Sequence, residues 1–223
     1  MKSKGENTLN TYIFDFDGTL VNSITTISYF ANKALNKFGL PSISEERYKI
    51  LVGNGAVSLV KRMLKEVGAD PSMFDKVYPE YWDSYDNNFS YLTEPYDGII
   101  EMLKKLKENN CNIAIVSNKP DPTTKKICDD LFGDLIDICR GQIEGCPIKP
   151  DPTAVLEVIN QFGVNKEDCV YCGDTNTDME TGKNAGIYTV GVLWGFRDIE
   201  ELKQCEPQKI ISHPLEILET INL

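Results

Sequence analysis

The segment at residues 12–20 carries the residue types that most clearly suggest chemistry. A short apolar run, rich in β-forming residues, leads directly into Asp15 and Asp17, which Gly18 and Thr19 follow. Such a run predicts a buried strand that delivers its last side chains into a loop. Two carboxylates two positions apart in an extended chain point to the same side, where they repel each other unless a cation lies between them. The segment therefore suggests a cation-binding strand end, although an Asp-Gly-Thr turn can also end a strand without any function.

Two later segments carry groups that could bind an anion. Ser117 and Asn118 follow a strand predicted at 111–116, and their hydroxyl and amide could hold a phosphoryl oxygen or simply form a turn. Lys149 immediately precedes a helix start at Asp151 and Pro152. Its ammonium could neutralise a carboxylate or a phosphate there.

A third acidic position, Asp174, directly follows a strand predicted at 169–172 and a glycine. Thr175 and Asp178 have the spacing of a capping box, which explains Asp178 without any catalytic role. Asp174 has no such explanation. A third carboxylate beside the two at the first strand end would complete an all-oxygen site suited to Mg²⁺.

The elements that must position these groups fall into two patterns. Between residues 22 and 88, apolar residues recur at spacings of three and four without a strand pattern, which predicts an all-helical block. After a linker at 93–98, short apolar strands alternate with single helices. The helices of the block have apolar stripes at 24–38, 57–67 and 74–89, and the later strands are predicted at 111–116, 135–139, 169–172, 187–192 and 209–211.

Strands joined by single helices imply right-handed parallel crossovers, so the sequence predicts an α/β fold with a doubly wound, Rossmann-like parallel sheet. The helical block separates the first strand from the rest of this sheet. We therefore expect a core domain formed by residues 1–20 and 95–223, with an inserted α-helical cap domain at 21–94. Ligands of open parallel sheets bind at the carboxyl ends of the strands, which is where the polar segments lie.

Composition narrows the possible partners. The net charge of −11, from 34 acidic and 23 basic residues, disfavours nucleic acid and anionic membranes, because both bind basic surfaces. No apolar run approaches the ~18 residues that cross a bilayer. Residues 1–10 are polar and lack the apolar core of a signal peptide, so we expect a cytoplasmic protein.

The seven cysteines offer one pattern typical of metal or redox sites, Cys169 and Cys172 in a CxxC motif. Residues three apart in a strand face opposite ways, so this pair is poorly placed to share a metal. There is no second CxxC motif, and His213 is the single histidine. We therefore expect reduced and mostly buried thiols.

Taken together and in this order, the four segments resemble the motifs of the haloacid dehalogenase superfamily of phosphohydrolases. The resemblance covers nearly the whole chain, and the helical block stands where that superfamily has its helical cap. Phosphoglycolate phosphatases are the most similar members, through residues 52–56 in the cap and 117–120 in the core. The motifs that carry the resemblance are Asp15-x-Asp17-Gly18-Thr19, Ser117-Asn118, Lys149 and Gly173-Asp174-x-x-x-Asp178.

The resemblance implies a division of labour among these residues. Asp15 would be the nucleophile that forms an aspartyl-phosphate, and Mg²⁺ would be held by Asp15, Asp174 and the backbone carbonyl of Asp17. The side chain of Asp17 would then be free to act as general acid and base. Ser117 and Lys149 would stabilise the charge that develops on the phosphoryl oxygens.

Supporting roles would fall to residues around this set. Asp178, Thr19 and Asn118 would orient the catalytic groups, and Gly53 and Asn54, together with Gly55, would contact the substrate from the cap. Arg62, on the following helix, is either a substrate contact or a solvated charge, as are the lysines of the cap.

The substrate is the open question at this level. We expect a small phosphorylated metabolite, with phosphoglycolate favoured, and a monomer or weak homodimer. A sugar phosphate, a nucleotide or pyrophosphate would offer the same phosphoryl group, and a β-phosphoglucomutase-like phosphomutase would use the same acid and base. A metal-dependent anion-binding regulatory module is the non-enzyme alternative, whereas dehalogenase and phosphonate-hydrolase activities have no support in the residues.

Overall fold

The computed structural model describes residues 9–88 and 91–221. Its centre is a six-stranded sheet of order β5-β4-β1-β6-β7-β8, in which every neighbouring pair runs parallel. The predicted doubly wound α/β fold is therefore confirmed. The strands of this sheet are β1 Thr11–Phe14, β4 Asn112–Pro120, β5 Ile138–Gln142, β6 Cys169–Gly173, β7 Tyr188–Val192 and β8 Lys209–Ile211.

Strand β1 lies between β4 and β6, with Phe14 in register with Ile115 on one side and Cys172 on the other. The chain continues outward from β1 in both directions, which makes this the topological switch point of the sheet. Apolar residues on both sheet faces are covered by helices, as a parallel sheet requires. The helices of this part are α5 Ile99–Glu108, α6 Asp121–Phe132, α7 Thr153–Phe162, α8 Asn176–Ala185 and α9 Ile199–Gln204, with 3₁₀ turns at Gly133–Leu135, Lys166–Asp168 and Pro214–Thr220.

Between β1 and α5 the chain forms helices that pack around an apolar cluster of their own. A two-stranded antiparallel ribbon marks the two crossings between this helical part and the sheet. The linker predicted at 93–98 is therefore partly a strand. The ribbon is β2 Val21–Asn22 with β3 Glu94–Pro95, and the helices are α1 Ile24–Lys37, α2 Glu45–Leu51, α3 Gly55–Glu66 and α4 Phe74–Asp86, with a 3₁₀ turn at Pro71–Met73.

The helical part departs from the sequence prediction in two ways, and one further expectation concerns a residue that the structure does not describe. Helix α2 was not predicted, because only Tyr48 and Leu51 of its seven residues are buried and it presents no recognisable stripe. Val57 was assigned to the buried face of α3 but is 46% exposed. Phe89, placed at the end of the third predicted stripe, lies outside the described residues.

In the sheet, two strands differ from the prediction by more than one residue at an end. Strand β4 continues to Pro120, so its polar end belongs to the strand itself, with an irregular register between Val116 and Pro120. The strand predicted at 135–139 begins at Ile138 and ends at Gln142, because Leu135 closes a 3₁₀ turn that delays the strand.

The cysteines follow the prediction. All seven are free thiols. Cys169 and Cys172 are buried in β6 and belong to apolar clusters on opposite faces of the sheet. Within the described ranges 9–88 and 91–221, no helix has the length and apolar character needed to cross a membrane.

Candidate active site

Asp15, which directly follows β1, lies beside Lys149, which belongs to the segment between β5 and α7. Lys149 Nζ lies 2.7 Å from Asp15 Oδ1 and 2.7 Å from Asp178 Oδ1, and it donates a 3.1 Å hydrogen bond to the Tyr171 hydroxyl. Burial alone would lower the pKa of Lys149, but the charges of Asp15 and Asp178 outweigh it and raise that pKa well above its usual value. Lys149 is therefore a permanently charged group, held by three partners beside the first acidic residue.

Asp178 has both of the roles considered in the sequence analysis, because it caps helix α8 and also contacts Lys149. Its Oδ2 accepts hydrogen bonds from the Thr175 backbone N–H at 3.0 Å and from the Thr175 hydroxyl at 2.6 Å, which forms the predicted capping box at the start of α8. Its Oδ1 faces Lys149. The cap of the helix thus also fixes the carboxylate that holds the lysine.

Asp174 is fully buried and is held from the loop after β1. Its Oδ1 accepts a 3.0 Å hydrogen bond from the Thr19 hydroxyl, and its Oδ2 accepts a 2.8 Å bond from the Phe196 backbone N–H. Gly18 has a φ of +89°, and a Cβ there would lie 2.4 Å from Asp174 Oδ2. Only glycine can occupy position 18 without displacing this carboxylate.

Asp15, Asp174 and Asp178 each place one carboxylate oxygen within 4.8 Å of the others. Burial and the charge of Asp178 raise the pKa of Asp174 to about 7, and the same two causes raise that of Asp15 despite the opposing charge of Lys149. Three ionised carboxylates would carry more negative charge than Lys149 alone compensates, which is why burial and mutual repulsion raise these pKa values. An all-oxygen donor set with this charge surplus fits a hard divalent cation such as Mg²⁺.

The Asp17 side chain points away from this cluster. It accepts a 2.5 Å hydrogen bond from the Ser23 hydroxyl, and Lys119 Nζ lies 3.0 Å from Oδ1 and 3.3 Å from Oδ2. The structure therefore separates the two acids of the first motif. Asp15 belongs with the acidic cluster, whereas the Asp17 carboxylate stands apart from it among different partners.

The end of β4 supplies the remaining core groups. Ser117 and Asn118 are buried, and both line the cleft. The Asn118 amide accepts a 2.9 Å bond from the Lys149 backbone N–H and donates to the carbonyls of Lys149 and Gly53 at 3.3 and 3.0 Å. Asn118 consequently ties the lysine segment to the helical part.

A cleft separates these core groups from the helical part. Its far wall is mostly aromatic and aliphatic, and among the described residues it contributes no Asp, Glu, Lys or Arg side chain. The far wall consists of Ile27, Val52, Gly53, Gly55, Ala56, Leu59, Tyr81, Trp82 and Tyr85.

The loop before α3 is held in place by Arg62, a residue of α3 itself. Arg62 donates hydrogen bonds to the Leu51 carbonyl at 3.0 Å and to Asn54 Oδ1 at 3.2 Å. Arg62 is therefore not a fully solvated charge, because it is half-buried and braces the loop. Gly53 and Gly55 line the cleft, while the Asn54 side chain is turned to Arg62.

Sequence reasoning missed residues whose roles come from long-range contacts. Lys119, Tyr85 and Phe196 line the cleft, and Tyr171 supports Lys149. The apolar stripe at 74–89 predicts a helix packed on the core, and Tyr85 of that helix also faces the cleft. Lys119 offered one signal, since it follows Ser117 and Asn118 at a strand end, but its partner lies 102 positions earlier.

Arg197, in the loop after β7, was also missed. It donates hydrogen bonds to the Lys49 and Val52 carbonyls of the helical part, the latter at 3.4 Å. No sequence signal pointed to this contact.

Comparison with known proteins places this geometry in a family. The family model described as haloacid dehalogenase-like hydrolase matches residues 12–192. A phosphoglycolate phosphatase of Aquifex aeolicus is 31% identical over 212 residues, which cover 94% of this chain and 95% of that protein. An N-acetylmuramic acid 6-phosphate phosphatase of Pseudomonas aeruginosa is 26% identical over 220 residues, covering 96% and 95%.

Solved structures show the same architecture. The crystal structure of a proposed phosphoglycolate phosphatase from Lactobacillus delbrueckii subsp. bulgaricus superposes with a TM-score of 0.91 at 26% identity. The match covers 96% of this chain and 99% of that one. The likeness therefore includes the helical part as well as the sheet.

Proposed function

Because the chain belongs to the haloacid dehalogenase-like hydrolases, we propose that it hydrolyses small phosphate monoesters with the help of a divalent cation, Mg²⁺ being the expected ion. The observation that carries this proposal is the convergence of Asp15, Asp174 and Lys149 at the switch point of the sheet. A buried site with excess negative charge and one fixed ammonium suits an anionic substrate only together with a cation.

The ion would be held by the carboxylates of Asp15 and Asp174 and by the backbone carbonyl of Asp17. When bound, it would supply the positive charge that offsets the repulsion between a carboxylate and a phosphate, and it would polarise the phosphoryl group. Asp178 is already engaged by Lys149 and Thr175, so its part is to orient the lysine. Thr19 holds Asp174 in place.

Asp15 is the proposed nucleophile. Its oxygen would attack phosphorus and displace the alkoxide of the substrate, which forms an aspartyl-phosphate and divides one difficult displacement into two easier ones. Lys149, beside Asp15, would carry part of the charge on the phosphoryl oxygens, and the Ser117 hydroxyl on β4 would donate to one of them.

Asp17 is the proposed general acid and base. Its carboxylate stands outside the acidic cluster and lines the cleft, where it could protonate the leaving alkoxide and then deprotonate the water that attacks the aspartyl-phosphate. Asp15 would thus serve as the nucleophile and Asp17 as the general acid and base, so neither residue has to do both.

Phosphoglycolate is the favoured substrate. Relatives that act on phosphoglycolate support this choice. The loop of Gly53 and Gly55 would receive the carboxylate end. A sugar phosphate is the second candidate, because a relative of similar length acts on N-acetylmuramic acid 6-phosphate.

A panel of phosphorylated metabolites tests the proposal. It contains phosphoglycolate, hexose 6-phosphates, β-glucose 1-phosphate, nucleoside monophosphates and pyrophosphate, each assayed with Mg²⁺ and after chelation. We expect release of phosphate from phosphoglycolate that chelation abolishes and added Mg²⁺ restores. Activity that persists unchanged in chelator, or isomerisation of a sugar phosphate without release of phosphate, would contradict the proposal.

We also propose that residues 21–94 form a lid that hinges near Asn22 and Pro95, where the ribbon joins the two parts. Closure would exclude water and complete the substrate site. Hydrogen exchange over 21–96 should slow when a phosphate mimic and Mg²⁺ are added together. Unchanged exchange, with binding measured independently, would contradict the lid.

A further inference from the structure

Lys119, the second-last residue of β4, occupies a position that the proposed chemistry leaves unexplained. It is only 7% exposed, yet it carries a charge and faces the cleft. A buried ammonium is costly unless it is paired and hydrogen-bonded, so its partners indicate what it does.

The partners of Lys119 come from both walls of the cleft. Its Nζ lies 3.0 and 3.3 Å from the two carboxylate oxygens of Asp17. It also donates to the hydroxyl of Tyr85 on α4 and lies 4.9 Å from the centre of the Tyr85 ring, with the Phe16 ring at 5.9 Å. One carboxylate of the core and one aromatic residue of the helical part together hold this ammonium.

The other partner of Asp17 also depends on the helical part. Ser23, which donates the 2.5 Å hydrogen bond to Asp17 Oδ1, is the residue that precedes α1. The Asp17 carboxylate is therefore fixed by two groups, one at the entrance to the helical part and one that contacts α4.

From this geometry we propose that Lys119 is a positioning residue that orients the Asp17 carboxylate for proton transfer, and that Tyr85 makes this orientation depend on closure of the helical part. The inference rests on the proposed function, since it concerns the acid and base of that reaction. Helix α4 acts through Tyr85, because Lys119 loses its contacts with both the hydroxyl and the ring of Tyr85 when α4 moves away.

Withdrawal of Tyr85 would leave the ammonium with water in place of an aromatic face. The Lys119 side chain would then be free to turn toward solvent. Asp17 would lose a charged, two-point contact that fixes the plane of its carboxylate. Proton transfer is sensitive to such a loss, because the donor must lie within hydrogen-bond reach of the leaving oxygen. The arrangement would thus orient the acid fully only when the helical part encloses the substrate.

The test compares leaving groups. p-Nitrophenolate leaves readily without a proton, whereas an alkoxide requires one, so an effect on the acid appears mainly in kcat/KM for an alkyl phosphate. kcat/KM is the informative constant because it reports the first displacement and not the later hydrolysis of the aspartyl-phosphate. The substrates are p-nitrophenyl phosphate, phosphoglycolate and the best-hydrolysed alkyl phosphate whose alcohol is uncharged.

Three variants distinguish an effect on the orientation of Asp17 from a general effect of weakening the contacts of α4. Lys119→Met removes the charge at similar length, and Tyr85→Phe removes only the cap-side hydroxyl. Thr123→Val is the matched control, because Thr123 donates a 2.6 Å hydrogen bond to Asp86 at the end of the same helix α4 without touching Asp17. Thr123→Val thus removes one hydrogen bond to the same helix without altering a side chain that contacts Lys119 Nζ or the Asp17 carboxylate.

We expect Lys119→Met to lower kcat/KM for both alkyl phosphates about 10-fold more than for p-nitrophenyl phosphate. Tyr85→Phe should show the same selectivity at about 3-fold, whereas Thr123→Val should affect all three substrates by one common factor. The double variant Asp17→Asn with Lys119→Met should lose no more alkyl phosphate activity than Asp17→Asn alone, since Lys119 acts through Asp17.

Equal losses on all three substrates would overturn the inference, as would independent effects in the double variant. A loss confined to phosphoglycolate would also overturn it, because Lys119 would then bind the carboxylate of the substrate directly. If Lys119→Met does not fold, the comparison of Tyr85→Phe with Thr123→Val decides alone. Absence of any wild-type turnover would instead defeat the proposed function, and the inference with it.

Discussion

The two walls of the cleft are built in different ways. On the core wall, Lys149 has three partners and Asp174 has two hydrogen bonds and a glycine that leaves room for no Cβ. On the wall of the helical part, Tyr81 and Trp82 stand with aliphatic residues and the backbone of Gly53. The core wall holds charged groups in fixed positions, whereas the opposite wall, in the described part of the chain, is an uncharged surface that contacts a ligand by its shape.

This contrast indicates how the two walls divide the work. Charges that must meet a phosphoryl group need several partners each, because a buried charge without them is unstable. A wall of rings and glycines restrains a leaving group mainly by its size. We therefore expect changes on the core wall to reduce turnover of every substrate, and changes on the opposite wall to alter the choice among substrates.

The largest effect should follow Asp15→Asn. Removal of the nucleophile should lower kcat on the order of 10⁴-fold or more for every substrate in the panel, with the far-ultraviolet circular dichroism and Tm retained. Asp130→Asn is the matched control, because Asp130 is exposed on α6 and should leave activity unchanged. Loss of activity on some substrates only would break the distinction between the two walls.

The next effect is that of Asp17→Asn. Loss of the general acid and base should cost about 10² to 10⁴-fold with alkyl phosphates and markedly less with p-nitrophenyl phosphate, whose leaving group needs no proton. Steady-state kcat/KM values on both substrates measure this ratio. If the two losses were the same, Asp17 would not be the acid.

A smaller and selective effect is expected on the opposite wall. Gly53 has a φ of +112°, so Gly53→Val strains the loop that faces the cleft. KM for phosphoglycolate should rise about 10-fold, with p-nitrophenyl phosphate nearly unaffected because it has no carboxylate to place. The initial-rate comparison sharpens the contrast between the walls, and a uniform rise in KM would remove this loop from substrate selection.

The smallest effect concerns pH and the cation. The pKa of Asp174 is raised to about 7, so the cation-free folded protein binds a proton that the unfolded chain releases at lower pH. Its stability should therefore fall as pH rises from about 4 to 7, the reverse of the usual trend for a carboxylate. Bound Mg²⁺ would compensate the ionised acid, so the gain in Tm on adding Mg²⁺ should be several degrees at pH 8 and about half or less at pH 5.5.

Differential scanning calorimetry with and without Mg²⁺ measures this gain. Asp174→Asn should reduce its pH dependence, with Asp15 contributing the remainder, while Asp130→Asn should preserve it. A gain in Tm that is the same at both pH values would show that Asp174 does not compete with a proton for the cation.

The sequence predicts the core wall of the cleft better than the wall formed by the helical part. Asp15, Asp174 and Lys149 each stand next to a predictable strand end or helix start, so the sheet alone brings them together. Thr175 and Asp178 were predictable because a capping box is a local pattern. Most of the core wall could therefore be derived from short segments and from the rule that ligands bind at the carboxyl ends of parallel strands.

The opposite wall depends on how helices pack, which short patterns do not specify. Tyr85 belongs to an apolar stripe whose members look alike in sequence, and only the packing of α4 turns it toward Lys119. Arg62 reaches Leu51 and Asn54 across a turn that helix α2 creates, and that helix was itself unpredicted. Contacts between side chains far apart in sequence escaped prediction for this physical reason.

Trapping the covalent intermediate tests the central claim most directly. Borohydride reduces an acyl phosphate, so treatment during turnover of the best substrate with Mg²⁺ should convert Asp15 to homoserine, which peptide mass spectrometry identifies. The conversion should be absent without substrate, after chelation and in Asp15→Asn. Full turnover with Asp15 unmodified, or homoserine at position 17 or 174 instead, would contradict the account.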